Sequence, residues 1–382
     1  MTHEKDSGRT IRVLVADDSA FMRTALTRMI QSDSRLRVVA TAGDGKDALA
    51  KIEEFDPDVV TLDIEMPQLD GLAVLRRLMP ASPKPVIMVS SLTQEGAEAT
   101  LAAFDLGAFD FIPKSSSYAS LDILHIQNDL VAKIKAAASS APALRRRSAP
   151  ILPSHLRHAA YRNAPTPAVI AIGTSTGGPK ALQEILPKLP ADLPAGIVIV
   201  QHMPKGFTGP FAKRLDGLSD LDVHEAQDNE PVKPGVALLA PATWHMTLFH
   251  RNAAQYSVRL AKTPATLHIP SVDVMMLSAA EACGSRVMGV ILTGMGSDGA
   301  EGMKAISEKG GLTLGQDEQS CAVYGMPRAC AHLGILTRVA PLSHIAGEIV
   351  AATGPREPAH PAGPGDKRPH LASRSHPEKE PA

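Results

Sequence analysis

The sequence predicts an α/β protein with two domains, each built on a doubly wound parallel sheet. Short apolar runs alternate with segments of helical periodicity in both halves of the chain, which is the pattern of β–α–β units. The chain has 382 residues, which is long for one domain. We predict a first domain over 9–128, a linker over 129–167, a second domain over 168–352 and a disordered tail over 353–382.

Composition narrows the possible functions. The formal net charge is −1 and only 3% of the residues are aromatic, which argues against a nucleic-acid partner. The first ten residues contain no apolar signal region, and no run approaches the ~18 apolar residues that a membrane span needs. The three cysteines form no C-x-x-C pair, as expected of reduced thiols. We therefore expect a cytoplasmic monomer without membrane insertion.

Polar side chains stand at the ends of the strands predicted in the first domain. These strands cover 11–16, 37–42, 57–63, 85–90 and 109–114. The carboxyl ends of parallel strands form the ligand site of such a sheet. Oxygen ligands suit Mg²⁺, which often bridges a carboxylate to a phosphate. The pattern predicts a phosphoryl-accepting magnesium site, and the groups concerned are Asp17, Asp18, Asp63, Ser90 and Lys114.

Residues 11–114 resemble the receiver domain of bacterial response regulators. The matching stretches are VADDS at 15–19, DIEMPQLDG at 63–71, Ser90 and Lys114. The resemblance implies a flavodoxin-like domain that takes a phosphoryl group from a sensor histidine kinase. The residues it implies are the phosphoacceptor Asp63, the Mg²⁺ ligands Asp18, Asp63 and Glu65, and the switch residues Asp17, Ser90, Phe111 and Lys114.

The segment before the second domain is rich in alanine, serine and proline. It contains an arginine triplet at 145–147, which we interpret as a solvated charge run rather than a docking patch. The absence of a continuing apolar period indicates a semi-flexible linker.

A tight turn opens the second domain. The apolar run 168–172 predicts a buried strand, and Gly173 to Gly177 then form a G-x-S-x-G sequence around Ser175. Pro179 suits the first turn of a following helix. This is the pattern of a nucleophile elbow, although a ligand-binding or structural turn has the same pattern. A P-loop is excluded because Pro179 stands where that motif needs lysine.

Ser175, His202 and Asp298 each follow a predicted strand of the second domain. The strands are 168–172, 196–200, 236–240, 287–293 and 311–315. A serine nucleophile needs a histidine base, which in turn needs a carboxylate to hold its tautomer. His202 is the preferred base because it directly follows a clear apolar strand. The competing histidines are His224, His245, His250, His268, His332 and His344.

A different function class fits part of the same domain. Gly294, Gly296 and Gly299 form G-x-G-x-x-G between a strand and a helix, and Asp317 lies about 20 residues further on. Taken alone, this pattern predicts a response regulator with a dinucleotide-binding output domain. It explains neither the serine turn nor His202.

Residues 168–350 are similar throughout to the catalytic domain of the chemotaxis protein-glutamate methylesterases, the CheB family. The matching stretches are IGTSTGG at 172–178, QHMP at 201–204, PSVD at 270–273, LTGMGSDG at 292–299 and YGMP at 324–327. The resemblance implies a Rossmann-like domain with a triad of Ser175, His202 and Asp298. Thr176 and the Met295 N–H fall where the family polarises the substrate carbonyl.

The same resemblance implies the reaction and its partners. The substrates would be glutamate methyl esters on the cytoplasmic helices of chemoreceptors, and receptor glutamines would be deamidated at the same site. The esterase reaction would need no cofactor, whereas phosphorylation of the receiver would need Mg²⁺. We expect phosphorylation to uncover the Ser175 cleft, which the unphosphorylated receiver would block.

Overall fold

The computed structural model describes residues 9–114, 120–140, 161, 165–252 and 255–354. Two parallel sheets with helices packed against them form its framework, which confirms the predicted fold class. The arginine triplet at 145–147 and the predicted tail beyond residue 354 lie outside the described residues.

The first domain is a five-stranded parallel sheet in the order β2-β1-β3-β4-β5. Side chains at four helix starts accept backbone N–H hydrogen bonds, which explains where α1 to α4 begin. The elements are β1 (Ile11–Ala16), α1 (Ala20–Gln31), β2 (Leu36–Ala42), α2 (Gly45–Phe55), β3 (Val59–Asp63), α3 (Gly71–Ala81), β4 (Val86–Ser90), α4 (Gln94–Asp105), β5 (Asp110–Pro113) and α5 (Ser120–Ser140).

Helix α5 crosses the domain boundary that we predicted at residue 128. Leu130, Ile134 and Ala137 recur at helical spacing and are fully buried against the sheet. The structure therefore assigns 129–140 to the first domain and not to the linker. The sequence prediction missed this because the last turns of α5 are alanine-rich, so their apolar face resembles a small-residue linker.

Replacing Ile134 with alanine should destabilise the first domain by about 2–5 kcal/mol, since the substitution leaves a cavity under α5. For a domain of this size, the melting temperature should fall by about 10 °C or more. Calorimetry of the full chain measures this, with Asn128→Ala on the exposed face of the same helix as the control. Equal melting of the two variants would contradict the packing of α5.

The second domain is a seven-stranded parallel sheet in the order β14-β13-β12-β6-β7-β9-β8. The first strand of the domain, β6, lies in the middle, and the chain builds outward from it on both sides. The strands are β6 (Val169–Thr174), β7 (Gly196–Gln201), β8 (Asp222–Glu225), β9 (Val236–Leu239), β10 (His245–Asn252), β11 (Gln255–Ala261), β12 (Val287–Ile291), β13 (Leu312–Gln316) and β14 (Arg338–Ala340). The helices are α6 (Gly178–Ile185), α7 (Thr208–Asp216), α8 (Val272–Cys283), α9 (Ala300–Glu308), α10 (Met326–His332) and α11 (Leu342–Thr353).

The sequence analysis missed an antiparallel hairpin formed by β10 and β11. Both strands mix polar and apolar residues, so neither shows a continuous apolar run. The hairpin packs on α8, and the Leu248 N–H donates to Ser278 Oγ at 2.9 Å. It also positions the segment 262–271, which runs from β11 to α8 past the candidate site.

The two domains share one contact surface and one apolar cluster. Helix α4 packs against α6 and α7, the helices that follow the first two turns of the candidate site. Phe111 of β5 stacks on Phe207 with ring centroids 4.6 Å apart. Asp105 at the end of α4 pairs with Arg214 and accepts a hydrogen bond from Gln183.

Candidate active site

Ser175 lies on the turn between β6 and α6, as predicted. Its N–H donates to the Thr293 carbonyl at 3.1 Å, and its own carbonyl accepts from the Gly178 N–H at 2.8 Å. Gly177 has φ +75°, and a Cβ there would meet Ala322 Cβ at 2.5 Å, so this turn needs glycine. The backbone of the serine is thus fixed from both sides while its side chain remains half-exposed.

His202 follows β7, the strand next to β6. Thr174 and Gln201 are register partners, so Ser175 and His202 come directly after a paired position. The fully buried Gln201 donates to the carbonyls of Ser175 at 3.0 Å and His202 at 2.9 Å. One amide therefore ties both turns together, a role that the sequence analysis did not assign.

Asp298 lies on the loop after β12, the neighbour of β6 on its other side. Its carboxylate accepts hydrogen bonds from the N-terminus of α8: Ser271 Oγ at 2.9 Å, the Val272 N–H at 2.8 Å and the Asp273 N–H at 2.9 Å. A helix N-terminus offers unpaired N–H groups and a positive dipole end, which favour a carboxylate. The fourth partner is His202 Nε2, at 2.8 Å from Oδ2.

These contacts fix the charge of Asp298 and the tautomer of His202. Burial alone would raise the pKa of Asp298, but the hydrogen bonds from His202 and from the backbone amides hold it below its ordinary value. Facing an ionised carboxylate, His202 Nε2 carries a proton and donates it. Nδ1 of His202 is buried and has no hydrogen-bond partner among the described residues. It is the nitrogen left to act as a base.

The other two residues predicted here lie on turns beside the serine. Thr176 is buried on the β6–α6 turn, and its carbonyl accepts from Thr293 Oγ1 at 3.0 Å. Met295 is half-buried on the β12 loop, next to Gly294. A Cβ at Gly294 would meet Ser175 Cβ at 2.9 Å, which shows how closely this loop approaches the serine turn.

The sequence analysis missed the residues that support the triad. Ser271 was part of a quoted motif but received no role, although a serine before a helix is an N-cap signal. His268 was counted only as a competing histidine, yet its ring stacks on His202 with centroids 4.2 Å apart. Nothing in the sequence spacing indicates this contact, because it depends on the path of the segment between β11 and α8.

A second polar cluster lies at the carboxyl edge of the first sheet. Ligand oxygens of Asp17, Asp18 and Asp63 lie within 4.8 Å of one another. Lys114 Nζ lies 2.6 Å from Asp63 Oδ2 and 3.1 Å from Asp17 Oδ2. Burial raises the pKa of Asp63 to about 6, against the hydrogen bond from Lys114. Three close carboxylates, of which Asp17 and Asp63 are buried and Asp18 is exposed, outnumber the single cation beside them and fit a divalent metal ion.

The remaining first-domain predictions lie around this cluster. Glu65 is exposed, and its N–H donates to Asp63 Oδ1 at 3.3 Å. The Ser90 hydroxyl donates to the Gly96 carbonyl of α4 at 3.0 Å and does not join the acidic cluster. Phe111 faces the other domain, as described above. The structure thus brings Asp17, Asp18, Asp63 and Lys114 together and directs Ser90 and Phe111 toward α4 and the domain contact.

Comparison with known proteins decides the family. The model of the CheB methylesterase domain matches residues 170–349, and that of the response regulator receiver domain matches residues 13–124. A protein-glutamate methylesterase/protein-glutamine glutaminase of Oleidesulfovibrio alaskensis is 47% identical over 370 residues, covering 90% of this chain and 99% of that protein. The chain belongs to the CheB methylesterase family. This confirms the resemblance identified from the motifs.

Other organisms have similar proteins. A protein of the same description from Nitratidesulfovibrio vulgaris is 48% identical and covers 89% of this chain and 98% of its own length. A protein of the same description from Pyrococcus horikoshii is 46% identical, covering 90% of this chain and 94% of its own length. Among solved structures, the CheB methylesterase catalytic domain of Thermotoga maritima is 40% identical, covers 49% of this chain and 98% of its own, and gives a TM-score of 0.47.

The family assignment supports the hydrolase interpretation of the second domain and not the dinucleotide alternative. Asp317, which that alternative needs for a ribose, instead accepts a hydrogen bond from the Ser320 N–H at 3.0 Å within its own turn. The glycine-rich loop over 294–299 places the Asp298 carboxylate against the N-terminus of α8. None of the helices that the structure describes is long and apolar enough to cross a membrane.

Asp273→Asn should stabilise the second domain at alkaline pH. Burial raises the pKa of Asp273 to about 6, against the hydrogen bond from the Gly302 N–H and with the nearby charge of Asp298. Ionisation therefore costs free energy only in the folded state, and this cost disappears as the pH falls through about 6. An asparagine keeps the acceptor oxygen without the charge.

We expect the free energy of unfolding of this variant to exceed that of the wild type by about 1 kcal/mol at pH 8, allowing for partial exposure, and to equal it near pH ~4. Urea denaturation followed by tryptophan fluorescence measures this, because Trp244 is the single tryptophan of the chain and lies in the second domain. Asp220→Asn, at an exposed position, is the control. A gain that persists at pH 4 would refute the electrostatic explanation.

Proposed function

We propose that this protein is a phosphorylation-activated serine hydrolase that demethylates glutamate methyl esters on chemoreceptors. The observation that carries the proposal is the arrangement of Ser175, His202 and Asp298. They follow three adjacent strands, β6, β7 and β12, and the His202–Asp298 hydrogen bond leaves the second imidazole nitrogen without a partner in the part of the chain that the structure describes. The family assignment and the names of its relatives support the same reaction.

Acylation uses the free nitrogen of His202. Nδ1 takes the hydroxyl proton of Ser175 while Oγ attacks the γ-carbonyl of the esterified glutamate. The carbonyl oxygen becomes an oxyanion, which Thr176 and the Met295 N–H stabilise. Asp298 stays ionised because of its four hydrogen bonds, and it stabilises the imidazolium that forms.

Release of methanol completes the first half of the reaction. The imidazolium returns its proton from Nδ1 to the methoxide oxygen as the C–O bond of the ester breaks. Water then attacks the acyl-enzyme, with Nδ1 again accepting and returning a proton, and a free glutamate leaves. A glutamine side chain gives the same acyl-enzyme with ammonia as the leaving group, so the same residues perform the glutaminase reaction.

Ser175→Ala should lower the rate of methanol release by about 10⁶-fold, as in other triads. The assay is release of labelled methanol from methylated receptor membranes. Ser285→Ala is the control, since this serine lies just before β12, at the end of the strand opposite the site. Unchanged release in the Ser175→Ala variant would refute the assignment of the nucleophile.

Phosphorylation of the receiver is the proposed switch. Asp63 accepts the phosphoryl group from the sensor histidine kinase of the pathway. Asp18, Asp63 and the Glu65 carbonyl would hold Mg²⁺, and the bound ion would supply positive charge beside the phosphoryl oxygens. Lys114 contacts the phosphoryl group from its position beside Asp63. The close carboxylates of Asp17, Asp18 and Asp63 support this assignment.

Contacts at the domain surface support a route from the phosphorylation site to the esterase site. The Ser90 hydroxyl donates a hydrogen bond to the Gly96 carbonyl of α4. Helix α4 in turn packs on α6 and α7, the helices that follow the turns of Ser175 and His202. Phe111 stacks on Phe207, five residues after His202. Repacking Ser90 and Phe111 around a phosphoryl group would weaken this surface and open the cleft to a receptor helix. A cytoplasmic location suits both partners.

Asp63→Asn should keep the basal esterase rate and abolish its increase by a small phosphodonor with Mg²⁺. The amide keeps the shape of the side chain but cannot accept the phosphoryl group. Rates with and without phosphodonor are measured in the methanol assay, and Glu53→Gln on the exposed face of α2 is the control. Stimulation that survives in the Asp63→Asn variant would exclude Asp63 as the acceptor.

A further inference from the structure

The ring of His268 covers one face of the His202 imidazole. The two ring centroids are 4.2 Å apart and the ring planes differ by 19°, which is a parallel stack. His268 lies on the segment between β11 and α8, remote in sequence from the three triad residues. The contact is therefore made by tertiary structure alone.

The backbone on both sides of His268 is anchored, so the stack is a built feature. The carbonyl of His268 accepts from Thr266 Oγ1 at 2.6 Å, and the Ile269 carbonyl accepts from the Thr243 N–H at 3.3 Å. The fully buried His245 accepts the Ser271 N–H at Nδ1, 3.2 Å away, and donates from Nε2 to the Pro264 carbonyl at 2.9 Å. One buried imidazole thus bridges this segment at its two ends.

We infer that His268 is a positioning residue for the proposed base: its neutral ring fixes the plane of the His202 imidazole and stabilises the imidazolium through its π face. The inference rests on the proposed function of His202. Asp298 holds the His202 ring at Nε2 and the bond from Cβ holds it at Cγ, so the ring can still turn about the axis through these two atoms. A stacked ring blocks this rotation, and in the proposed reaction it holds Nδ1 in position to accept the serine proton.

The charged groups around His268 favour its neutral form. Burial and then the charge of His202 lower the pKa of His268, while the carboxylates of Asp298 and of Asp129 on receiver helix α5 oppose this. A neutral aromatic face attracts a cation, by about 0.5–2 kcal/mol for the usual aromatic rings. The attraction acts only when His202 is protonated, so it favours the tetrahedral intermediate over the resting state.

Two variants distinguish the effect of an aromatic face at position 268 from the effect of the imidazole nitrogens. His268→Phe keeps an aromatic face, and His268→Gln keeps a polar side chain of similar reach without one. In the methanol assay with methylated receptor membranes, we expect His268→Gln to lower kcat by about 10-fold with KM unchanged. The midpoint of the acid limb of its pH profile should move down by about 0.5–1 unit, because the imidazolium is less stable. His268→Phe should stay within about 3-fold of the wild type and keep the midpoint.

Three outcomes would overturn the inference. Wild-type kinetics in His268→Gln would show that the stack has no role. An equal loss of kcat in both variants, without a shift of the pH-profile midpoint, would show that His268 contributes only to general packing. Loss in His268→Phe alone would assign the role to the imidazole nitrogens.

An NMR titration distinguishes this inference from the proposed function. The imidazole signals of His202 are followed in the Ser175→Ala background with His268 intact, then replaced by phenylalanine or by glutamine. We expect glutamine alone to lower the pH midpoint of His202. If the wild type releases no methanol but this shift appears, the proposed reaction fails and the positioning role stands. If methanol is released but no shift appears, the proposed reaction stands and the positioning role of His268 fails.

Discussion

The carboxylate of Asp298 at the N-terminus of α8 is the interaction on which the candidate active site depends. A buried carboxylate is stable only if its oxygens are hydrogen-bonded, and here both accept two bonds. Three of these four bonds come from α8 and its N-cap serine. The fourth orients His202, so the helix determines the tautomer of the histidine through one shared carboxylate.

The position of α8 in turn depends on elements that carry no reacting group. The β10–β11 hairpin packs on α8, and His245 holds the segment that leads into it. Gly173 lies under the start of the same helix, where a Cβ would meet Val272 at 2.2 Å. A long stretch of the second domain therefore serves to fix one carboxylate relative to one imidazole.

The positions of the candidate site residues were easier to predict from the sequence than the residues that hold them in place. Five of the six residues follow a buried strand and Asp63 is the last residue of one, and the topology of a parallel sheet brings such strand ends together. The six are Ser175, His202, Asp298, Asp17, Asp18 and Asp63. Their neighbourhood therefore followed from order and periodicity, and the roles proposed for them come from the resemblance. Gln201 and His268 make tertiary contacts that no sequence spacing encodes. The end of α5 was misplaced because alanine-rich helix and small-residue linker have the same composition.

The domain contact contains two specific interactions close to the receiver elements of the proposed switch. The Phe111–Phe207 stack contributes about 0.5–1.5 kcal/mol beyond area burial. The partly exposed Asp105–Arg214 pair adds about 0.2–1 kcal/mol. Together these two contacts amount to about 1–2 kcal/mol, in addition to the apolar area that the cluster shared by the domains buries. Losing them would change the ratio of closed to open arrangements by about 5- to 30-fold. Phe111 belongs to β5 of the receiver and also to the domain contact. In the proposed switch, repacking of this one ring is therefore the step that connects the state of Asp63 to the opening of the cleft.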